Sequence, residues 1–360
     1  MMFIWLFILI LLGIYINFLS KKNAFKKLFY SIKFSKEIVE IGEEFEIISI
    51  IENKKIYPIT YLNISQEYPE EFEFIEGNNF KGAYKTKMSV LPFQRVKRSF
   101  KVSCLKRGRY ILKNAEITCG DLFGFETMTQ FYESFAEIVV LPKSYSLKKL
   151  TPYGSYTGDI SVKRWIIEDP LVNIGIKEYT GREPLKQIHW PSSLKHQKIM
   201  VKEYDFTTDN NLLIALNIET CKPFWQKIDG DAIERCISIT RSLVDEFESL
   251  KVPYGLISNA QNFLNSTLYR PGLGLNHRLK ILESLGRIDY SIFCPFEDII
   301  KTKNSIKNTT IVVITPIILD EYVSPINNLI KFYQKVVLIT LNTNNIGKVA
   351  KQIEIYFEGE

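Results

Sequence analysis

The chain has 360 residues, of which 46% are apolar and 24% charged, and its formal net charge is +6. This composition excludes a disordered or low-complexity chain, and the length exceeds one ordinary core, so we expect two folded domains with appendages. The positive charge is local, because Met1 to Lys36 contains six lysines and no acidic residue.

The first predicted element is an uncharged apolar stretch from Met2 to Leu19. As a helix it would span about 27 Å, which is close to the hydrocarbon thickness of a bilayer. No basic segment precedes it and no A-x-A-like site follows it, which argues against a cleavable signal peptide. We therefore predict a transmembrane anchor over residues 1–20.

Residues 21–28 are a basic juxtamembrane segment. By the positive-inside rule, lysines on this side of the span place the following domains in the cytoplasm of a single-pass protein of the cell membrane. The cysteines fit that compartment as free thiols, since they are odd in number and contain no C-x-x-C pair. They are Cys104, Cys119, Cys221, Cys236 and Cys294.

Short alternating stretches with turn residues between them fill residues 29–145. Phe45–Ile51 and Arg98–Val102 are examples. Strands of this length and spacing are typical of an antiparallel β-sandwich, so we predict an all-β domain here.

Strands alternate with helical periodicity from residue 211 to residue 360, which predicts an α/β domain with parallel strands and crossover helices. Leu212–Leu216 suits a buried parallel strand. Asp231 to Leu250 reads as an amphipathic helix that begins with a capping box of Asp231 and Glu234. Residues 146–210 between the two domains are predicted to be a linker.

The part of this linker from Gly181 to Asp205 is rich in basic and aromatic side chains. It resembles the signature of the DUF58 family, roughly G-D, two residues, R-x-I-D/H-W, two residues, S-A/T-R/K, then L-x-V-K/R-E-F/Y-D/E. Arg182 stands where that family prefers Asp, and Lys186 and Lys195 stand where it prefers Arg. The signature positions expected to bind a partner are Gly181, Arg182, Lys186, Ile188, His189, Trp190, Ser193, Lys195, Val201, Lys202, Glu203 and Tyr204.

Two further stretches, Arg107–Tyr110 and Asp121–Phe125, also recur in DUF58 proteins. The resemblance implies an immunoglobulin-like sandwich followed by a von Willebrand A-like, Rossmann-like α/β domain. It also implies a non-enzymatic scaffold or adaptor at the membrane that works with a MoxR-type AAA+ ATPase. In this interpretation the signature segment docks the partner, with Trp190 as its anchor and the lysines as orienting charges.

A von Willebrand A-like domain that binds Mg²⁺ carries D-x-S-x-S after its first strand. Here the corresponding positions are Asn217, Glu219 and Cys221, a neutral amide, a longer carboxylate and a soft thiol. These groups suit Mg²⁺ poorly, so we predict no metal and no other cofactor. A metal-dependent ligand-binding protein that uses Glu219 and Thr220 remains an alternative.

A hydrolase that uses His189 and Ser193 is the second alternative, although no G-x-S-x-G elbow accompanies them. The lysines and Trp190 could contact nucleic acid, but no helix-turn-helix or RRM motif is present, so we expect no nucleic-acid partner. No P-loop, dinucleotide fingerprint or H-E-x-x-H motif occurs, so no small-molecule substrate is evident and we expect no enzymatic activity.

Overall fold

The protein is described here by a computed structural model that covers residues 2–75, 83–121, 126–153, 165, 168–180, 185, 188–206, 211–262, 268–301 and 309–358. At positions 2–4, 9, 10, 83, 84, 168–174 and 203–206, only the backbone is described. The chain divides into two compact units, Met1–Lys143 and Ser144–Glu360.

Among its described residues, the first unit has one helix and nine strands. They are α1 (Met2–Lys22), β1 (Leu28–Phe34), β2 (Ile38–Val39), β3 (Phe45–Asn53), β4 (Ile59–Glu67), β5 (Phe72–Phe74), β6 (Ala83–Val90), β7 (Arg95–Cys104), β8 (Gly108–Gly120) and β9 (Thr127–Val140). Within the described residues, α1 is the one helix long and apolar enough to cross a membrane.

The nine strands form a β-sandwich, as the alternation in the sequence predicts. One sheet has the order β1-β3-β7-β5 and the other the order β2-β9-β8-β4-β6. Inward residues of β3 alternate strictly with half-buried ones, and Phe45, Ile47 and Ile51 join Leu62 and Ile117 of the opposite sheet in one core. This period of two places every second side chain on the core face, which is what joins the two sheets.

The second unit mixes strands and helices. Its elements are β10 (Leu150–Pro152), β11 (Glu168–Glu178), α2 (Trp190–His196), β12 (Met200–Phe206), β13 (Asn211–Leu216), α3 (Gly230–Ser249), β14 (Tyr254–Ser258), β15 (Ala260–Asn262), β16 (Leu268–Gly272), α4 (Leu275–Arg287), β17 (Ile288–Ile292), α5 (Phe296–Lys301), β18 (Thr309–Thr315), α6 (Asp320–Asn328), β19 (Lys335–Thr340) and β20 (Glu354–Glu358). Short 3-10 helices lie at Leu147–Lys149, Phe224–Gln226, Leu329–Lys331 and Ile346–Lys348.

A seven-stranded sheet with the order β10-β20-β19-β18-β13-β14-β16 organises the second unit. The central strands β20, β19, β18, β13 and β14 are parallel, and both edge strands are antiparallel. The chain contributes the edge strand β10 first. It then starts the parallel part of the sheet in the middle, at β13, and adds β14 and β16 on one side before β18, β19 and β20 on the other. The strand order therefore reverses between β13 and β18, and doubly wound sheets bind ligands beyond the carboxyl ends of the strands at such a point.

The central strands are apolar throughout because both faces of the sheet are covered. Leu213, Ala215, Ile311 and Val313 lie in one continuous core with Tyr322 of α6. The predicted helix Asp231–Leu250 is α3, displaced by one residue at each end. Its N-cap is Asp229, whose side chain accepts a 3.0 Å hydrogen bond from Ala232 N, so the predicted Asp231 capping box is wrong.

The predicted linker, residues 146–210, does more than connect domains. It supplies β10 to the edge of the seven-stranded sheet and forms the β11–β12 pair. Trp165 from the same stretch is fully buried, with its ring 5.7 Å from Tyr356 and 6.5 Å from Phe247. The boundary between the two units accordingly falls at Lys143, and the signature segment belongs to the second unit.

Candidate functional site

The signature residues that the structure describes lie on a small unit built from β11, α2 and β12, which we call the signature hairpin. Strands β11 and β12 pair antiparallel, with Lys177 opposite Val201 and Ile176 opposite Lys202. On the other side of β12, Ile188 forms an isolated bridge with Val201, and His189 N donates to Met200 O at 2.8 Å. Val201 is fully buried, so this strand anchors the hairpin.

His189 acts as the N-cap of helix α2. Its ring Nδ1 accepts from Ser192 N at 3.3 Å and lies 2.8 Å from Ser192 Oγ. A nitrogen that accepts from a backbone N–H carries no proton, so the neutral ring holds its proton on Nε2. An N-cap side chain satisfies an amide that the first helical turn leaves free, which gives His189 a structural task.

Ser193 ties α2 to β12 through its hydroxyl. Oγ accepts from Met200 N at 2.8 Å and lies 3.0 Å from His189 O and 3.3 Å from Met200 O, so its own proton goes to a main-chain carbonyl. The two side chains of the proposed hydrolase, His189 and Ser193, are therefore not hydrogen-bonded to each other. Within the described residues, no carboxylate orients the His189 ring, as a triad would require.

The outer face of the hairpin is apolar and exposed. Trp190 is 64% exposed and Leu194 is 79% exposed, and their spacing of four residues puts them side by side on α2. Leu185 and Ile199 are also exposed. Trp190, which the sequence predicts to be the anchor of a docking segment, thus lies at the surface. The spacing of Leu194 was the available signal for this face, and the signature pattern does not include it.

Basic groups border this face. Lys195 and Lys198 are exposed, and Lys202 is half-buried on β12. Lys198 Nζ pairs with Glu178 at 3.1 Å, but the two side chains are 63% and 60% exposed, so the pair contributes little. Three predicted positions, Gly181, Arg182 and Lys186, lie outside the described residues, as do the side chains of Glu203 and Tyr204 on β12.

The second candidate site is the carboxyl edge of β13, where the sheet order reverses. Asn217 Nδ2 donates to Thr315 Oγ1 at 2.9 Å, which joins the ends of β13 and β18. Asn217 Oδ1 accepts from Asn259 Nδ2 at 2.8 Å and from Glu219 N at 2.9 Å. All of these side chains are buried, so the amide of Asn217 is fully engaged within the protein.

Glu219 extends this network toward the helices. Its Oε2 accepts from Phe296 N at 3.0 Å and from the Tyr322 hydroxyl at 2.6 Å. Burial, followed by the bond to Glu219, raises the pKa of Tyr322 far above its usual value, so its hydroxyl stays protonated and donates. We call Asn217, Glu219, Asn259, Thr315 and Tyr322 the Asn217 network. Its members come from distant parts of the chain, and no local pattern in the sequence predicts that they are in contact.

The remaining predicted metal position, Cys221, turns away from this network. Its Sγ lies 3.1 Å from Lys227 O and 3.3 Å from Pro223 O, in the loop that follows. Nearby, Lys222 Nζ forms an ion pair with Glu297 and lies 5.1 Å from the centre of the Tyr322 ring. Within the described residues, no three His, Cys, Asp or Glu side chains are placed to hold a metal ion. The predicted alternative of metal-dependent binding through Glu219 therefore has no assembled ligand set in this part of the chain.

Comparisons with known proteins give distant similarities. No family model matches the chain. It is 21% identical over 208 residues to the uncharacterized protein YeaD of Bacillus subtilis (strain 168), a match over 56% of this chain and 48% of that protein. The chain thus spans about half the length of this curated relative.

Solved structures with some likeness include the CARDB domain of the PF1109 protein from Pyrococcus furiosus, at 13% identity and a TM-score of 0.22, over 32% of this chain and 96% of that one. A non-cellulosomal cohesin from Archaeoglobus fulgidus gives 12% identity and a TM-score of 0.23, over 31% of this chain and 91% of that one. These similarities assign no activity or partner to the chain.

Proposed function

We propose that this protein is a membrane-anchored scaffold or adaptor of the DUF58 type, without enzymatic activity, that docks an AAA+ ATPase of the MoxR type. Helix α1 serves as the anchor and the signature hairpin as the docking surface. The observation that carries the proposal is the exposure of Trp190 and Leu194 on α2 while His189 and Ser193 are engaged in holding that helix. The hairpin thus presents side chains for contact and keeps its reactive groups in structural bonds.

A partner that buries the exposed Trp190 and Leu194 gains binding free energy. Covering each such side chain contributes about 1.5–3 kcal/mol, and tryptophan is enriched at the centres of binding hot spots. A paired aromatic and aliphatic anchor on a short helix suits insertion into an apolar pocket of the partner.

The charges on the hairpin set the chemistry of the partner surface. Lys195, Lys198 and Lys202 contribute positive charge beside the anchors, so an acidic rim around the pocket would orient the complex and raise its association rate. This charge distribution supports a protein partner over a nucleic acid, because the apolar pair rather than a phosphate-tracking groove dominates the face.

The second unit supports the family assignment through its topology. A doubly wound sheet whose order reverses between β13 and β18, with an antiparallel strand at the edge, is what a von Willebrand A-like domain would have. In such a domain the metal site would lie after β13, where Asn217 and Glu219 are instead engaged in hydrogen bonds. We infer that this copy works as an adaptor without a metal.

The docking proposal is tested by binding of the purified full-length chain to a MoxR-type ATPase from the same cells. Trp190→Ala combined with Lys202→Glu should weaken the complex by about tenfold or more, since hot-spot truncations cost 2 kcal/mol or above. The matched control is Trp225→Ala with Lys227→Glu, because Trp225 and Lys227 are also exposed in the second unit. Equal binding by both double variants would exclude the signature hairpin as the docking surface.

Topology is tested separately. Six lysines follow the apolar stretch before the first acidic residue, so both units should lie on the cytoplasmic side. A reporter that is active only outside the cytoplasm, fused after Glu360, should be inactive. Activity of that reporter would show that the two units lie outside the cytoplasm. The docking proposal is tested by the binding experiment and not by this one.

A further inference from the structure

Four chain segments meet at one end of the β-sandwich, at the point where α1 enters it. The strand registers place them there, because Leu28 pairs with Asn53, Glu52 with Arg95, Ile59 with Val90 and Gly120 with Thr127. We call this the α1 end of the sandwich. It includes the end of α1, the connection between β3 and β4 (54–58), the turn between β6 and β7 (91–94), and Asp121 and Glu126 between β8 and β9.

Helix α1 is joined to β1 at this end by the short segment 23–27. Asn17 Nδ2 donates to Asp121 Oδ2 at 3.0 Å, and Lys21 pairs with Glu126. Ala24, two residues after the helix, already lies in the sandwich core. Exposed apolar side chains of the helix, such as Phe18, therefore lie about one turn, or about 5 Å, from the sandwich. A helix that crosses a bilayer would bring this end directly to the membrane surface.

The loop tips at the α1 end carry exposed apolar side chains. Ile56 is 73% exposed, Leu91 60% and Phe93 69%. Asn53 holds the two loops together, since its Nδ2 donates to Tyr57 O and to Leu91 O, each at 3.0 Å. The Asn53 side chain thus connects the loop that carries Ile56 to the turn that carries Leu91 and Phe93.

The same end of the sandwich also carries positive charge. The exposed basic residues of this end are Lys22, Lys26, Lys27, Lys54 and Arg95. Its acidic side chains are engaged: Glu52 lies 3.4 Å from Lys54, Asp121 accepts from Asn17, and Glu126 pairs with Lys21. Exposed apolar tips together with basic residues suit binding to a bilayer with anionic headgroups. In such a bilayer, apolar side chains reach the acyl boundary and lysines contact phosphates.

We propose that the α1 end of the sandwich is a second membrane contact, with Ile56, Leu91 and Phe93 inserted at the interface of an anionic bilayer. The inference rests on the membrane anchoring proposed above and adds an orientation to it. The sandwich would stand on the bilayer with its loop tips in the interface, and Leu105, an exposed apolar residue in the β7–β8 connection at the opposite end, would face water.

The test uses the full-length chain in nanodiscs of phosphatidylcholine and phosphatidylglycerol, with Cys221→Ser and Cys294→Ser removing the half-exposed thiols. A spin label is placed at Phe93→Cys, at Ile56→Cys or, as the matched control, at Leu105→Cys. Labels at 93 and 56 should relax with oxygen, which concentrates in the bilayer, and be shielded from an aqueous nickel chelate. The label at 105 should be accessible to the nickel chelate and less accessible to oxygen. In nanodiscs of phosphatidylcholine alone, the labels at 93 and 56 should be less strongly shielded from nickel.

Each result has a defined meaning. In one outcome, the chain co-elutes with the nanodisc while labels at 93 and 56 are as accessible to nickel as the label at 105. That result overturns the proposed membrane contact of the α1 end and leaves the anchoring by α1 intact. A chain that fails to co-elute overturns the anchoring instead. Shielding of 93 and 56 from both reagents, or dipolar broadening between labels, would identify a protein partner or a second copy on this end and would also overturn the proposal.

Discussion

The Tyr322 hydroxyl donates a hydrogen bond of 2.6 Å to the Glu219 carboxylate, and both side chains are buried. This bond joins helix α6 to the loop that follows the first central strand of the sheet. Phe296 N donates to the same oxygen from the start of α5, so one carboxylate holds two helices against the sheet edge. Doubly wound sheets commonly bind a ligand at this edge. Here the donors and acceptors at the edge form hydrogen bonds with each other.

Removal of the Tyr322 hydroxyl should destabilise the second unit. Tyr322→Phe leaves a buried carboxylate without one of its donors, which costs about 1–3 kcal/mol in the free energy of unfolding. Urea unfolding followed by tryptophan fluorescence, to which the buried Trp165 of the same unit contributes, measures the change.

The matched control for this substitution is Tyr290→Phe. Tyr290 donates to Glu234 at 2.8 Å with the same chemistry, but on the exposed surface of the same unit. Loss of that bond should change the free energy of unfolding by less than about 0.5 kcal/mol. A Tyr322→Phe midpoint no lower than that of Tyr290→Phe would show that the Asn217 network does not stabilise the unit.

Mg²⁺ should leave the stability of the full-length chain unchanged. Asn217 Oδ1 already accepts from two donors, Glu219 Oε2 accepts from two more, and Cys221 faces a separate loop. A bound ion would raise the melting temperature in proportion to its occupancy of the folded state. Thermal unfolding with Mg²⁺ and with EDTA should therefore give the same midpoint. A rise with Mg²⁺ that Glu219→Gln abolishes would restore the metal-dependent alternative.

The sequence predicted most of the architecture because periodicity reports burial directly. Alternation every two residues marked the sandwich strands, and the continuous run Leu212–Leu216 marked β13 as a strand covered on both faces. It did not predict that residues 146–210 would contribute β10 and the buried Trp165, since a three-residue edge strand carries no period of its own.

The sequence predicted the two candidate sites to different extents. It identified Asn217 and Glu219 as poor Mg²⁺ ligands from their chemistry alone. Their partners Asn259 and Tyr322 lie more than 40 residues further along the chain, and only the sheet topology brings them together. For the signature hairpin, the sequence predicted Trp190 as an anchor and offered Ser193 as a hydrolase candidate. It did not predict the exposed Leu194 beside Trp190 or the main-chain bonds of Ser193, since both depend on the fold.

Alkaline pH should weaken the sandwich. Burial raises the pKa of Cys119 to about 12, against the opposing effect of the nearby Lys55 charge, and burial raises the pKa of Tyr132 to about 12. In the unfolded chain these groups ionise near pH 8.5 and 10, so above those values the unfolded state binds fewer protons and the free energy of unfolding falls with pH. The stabilisation is fully present below about pH 8.5 and is lost as the pH approaches 12.

Urea unfolding followed by far-ultraviolet circular dichroism at pH 8, 9, 10 and 11 measures this decline. Cys119→Ala should make it shallower, because that group no longer titrates. Cys221→Ala, in the second unit, is the control and should retain the wild-type slope. An identical pH dependence in wild type and Cys119→Ala would contradict the assignment of a buried, protonated thiol to the sandwich core.

Lys55 should fix the junction between α1 and the sandwich. Its buried Nζ donates to Asn23 O at 2.9 Å and to Ala24 O, which satisfies carbonyls just beyond the end of the helix. Burial also lowers the pKa of Lys55, so its charge is held at a cost and the hydrogen bonds must offset that cost. Lys55→Met removes both donated bonds and should loosen the junction by about 1 kcal/mol net.

Hydrogen exchange of the full-length chain in nanodiscs measures this loosening at the amides of Asn23 and Ala24, which bond to Leu19 O and Lys21 O. Lys55→Met should raise their exchange rates about fivefold, the equivalent of 1 kcal/mol. Lys54→Met is the neighbouring control, because Lys54 is exposed and its contact with Glu52 at 3.4 Å contributes little. Unchanged exchange in Lys55→Met would mean that Asn17, Lys21 and the buried Ala24 hold the helix end without it, and that the orientation of α1 does not depend on this lysine.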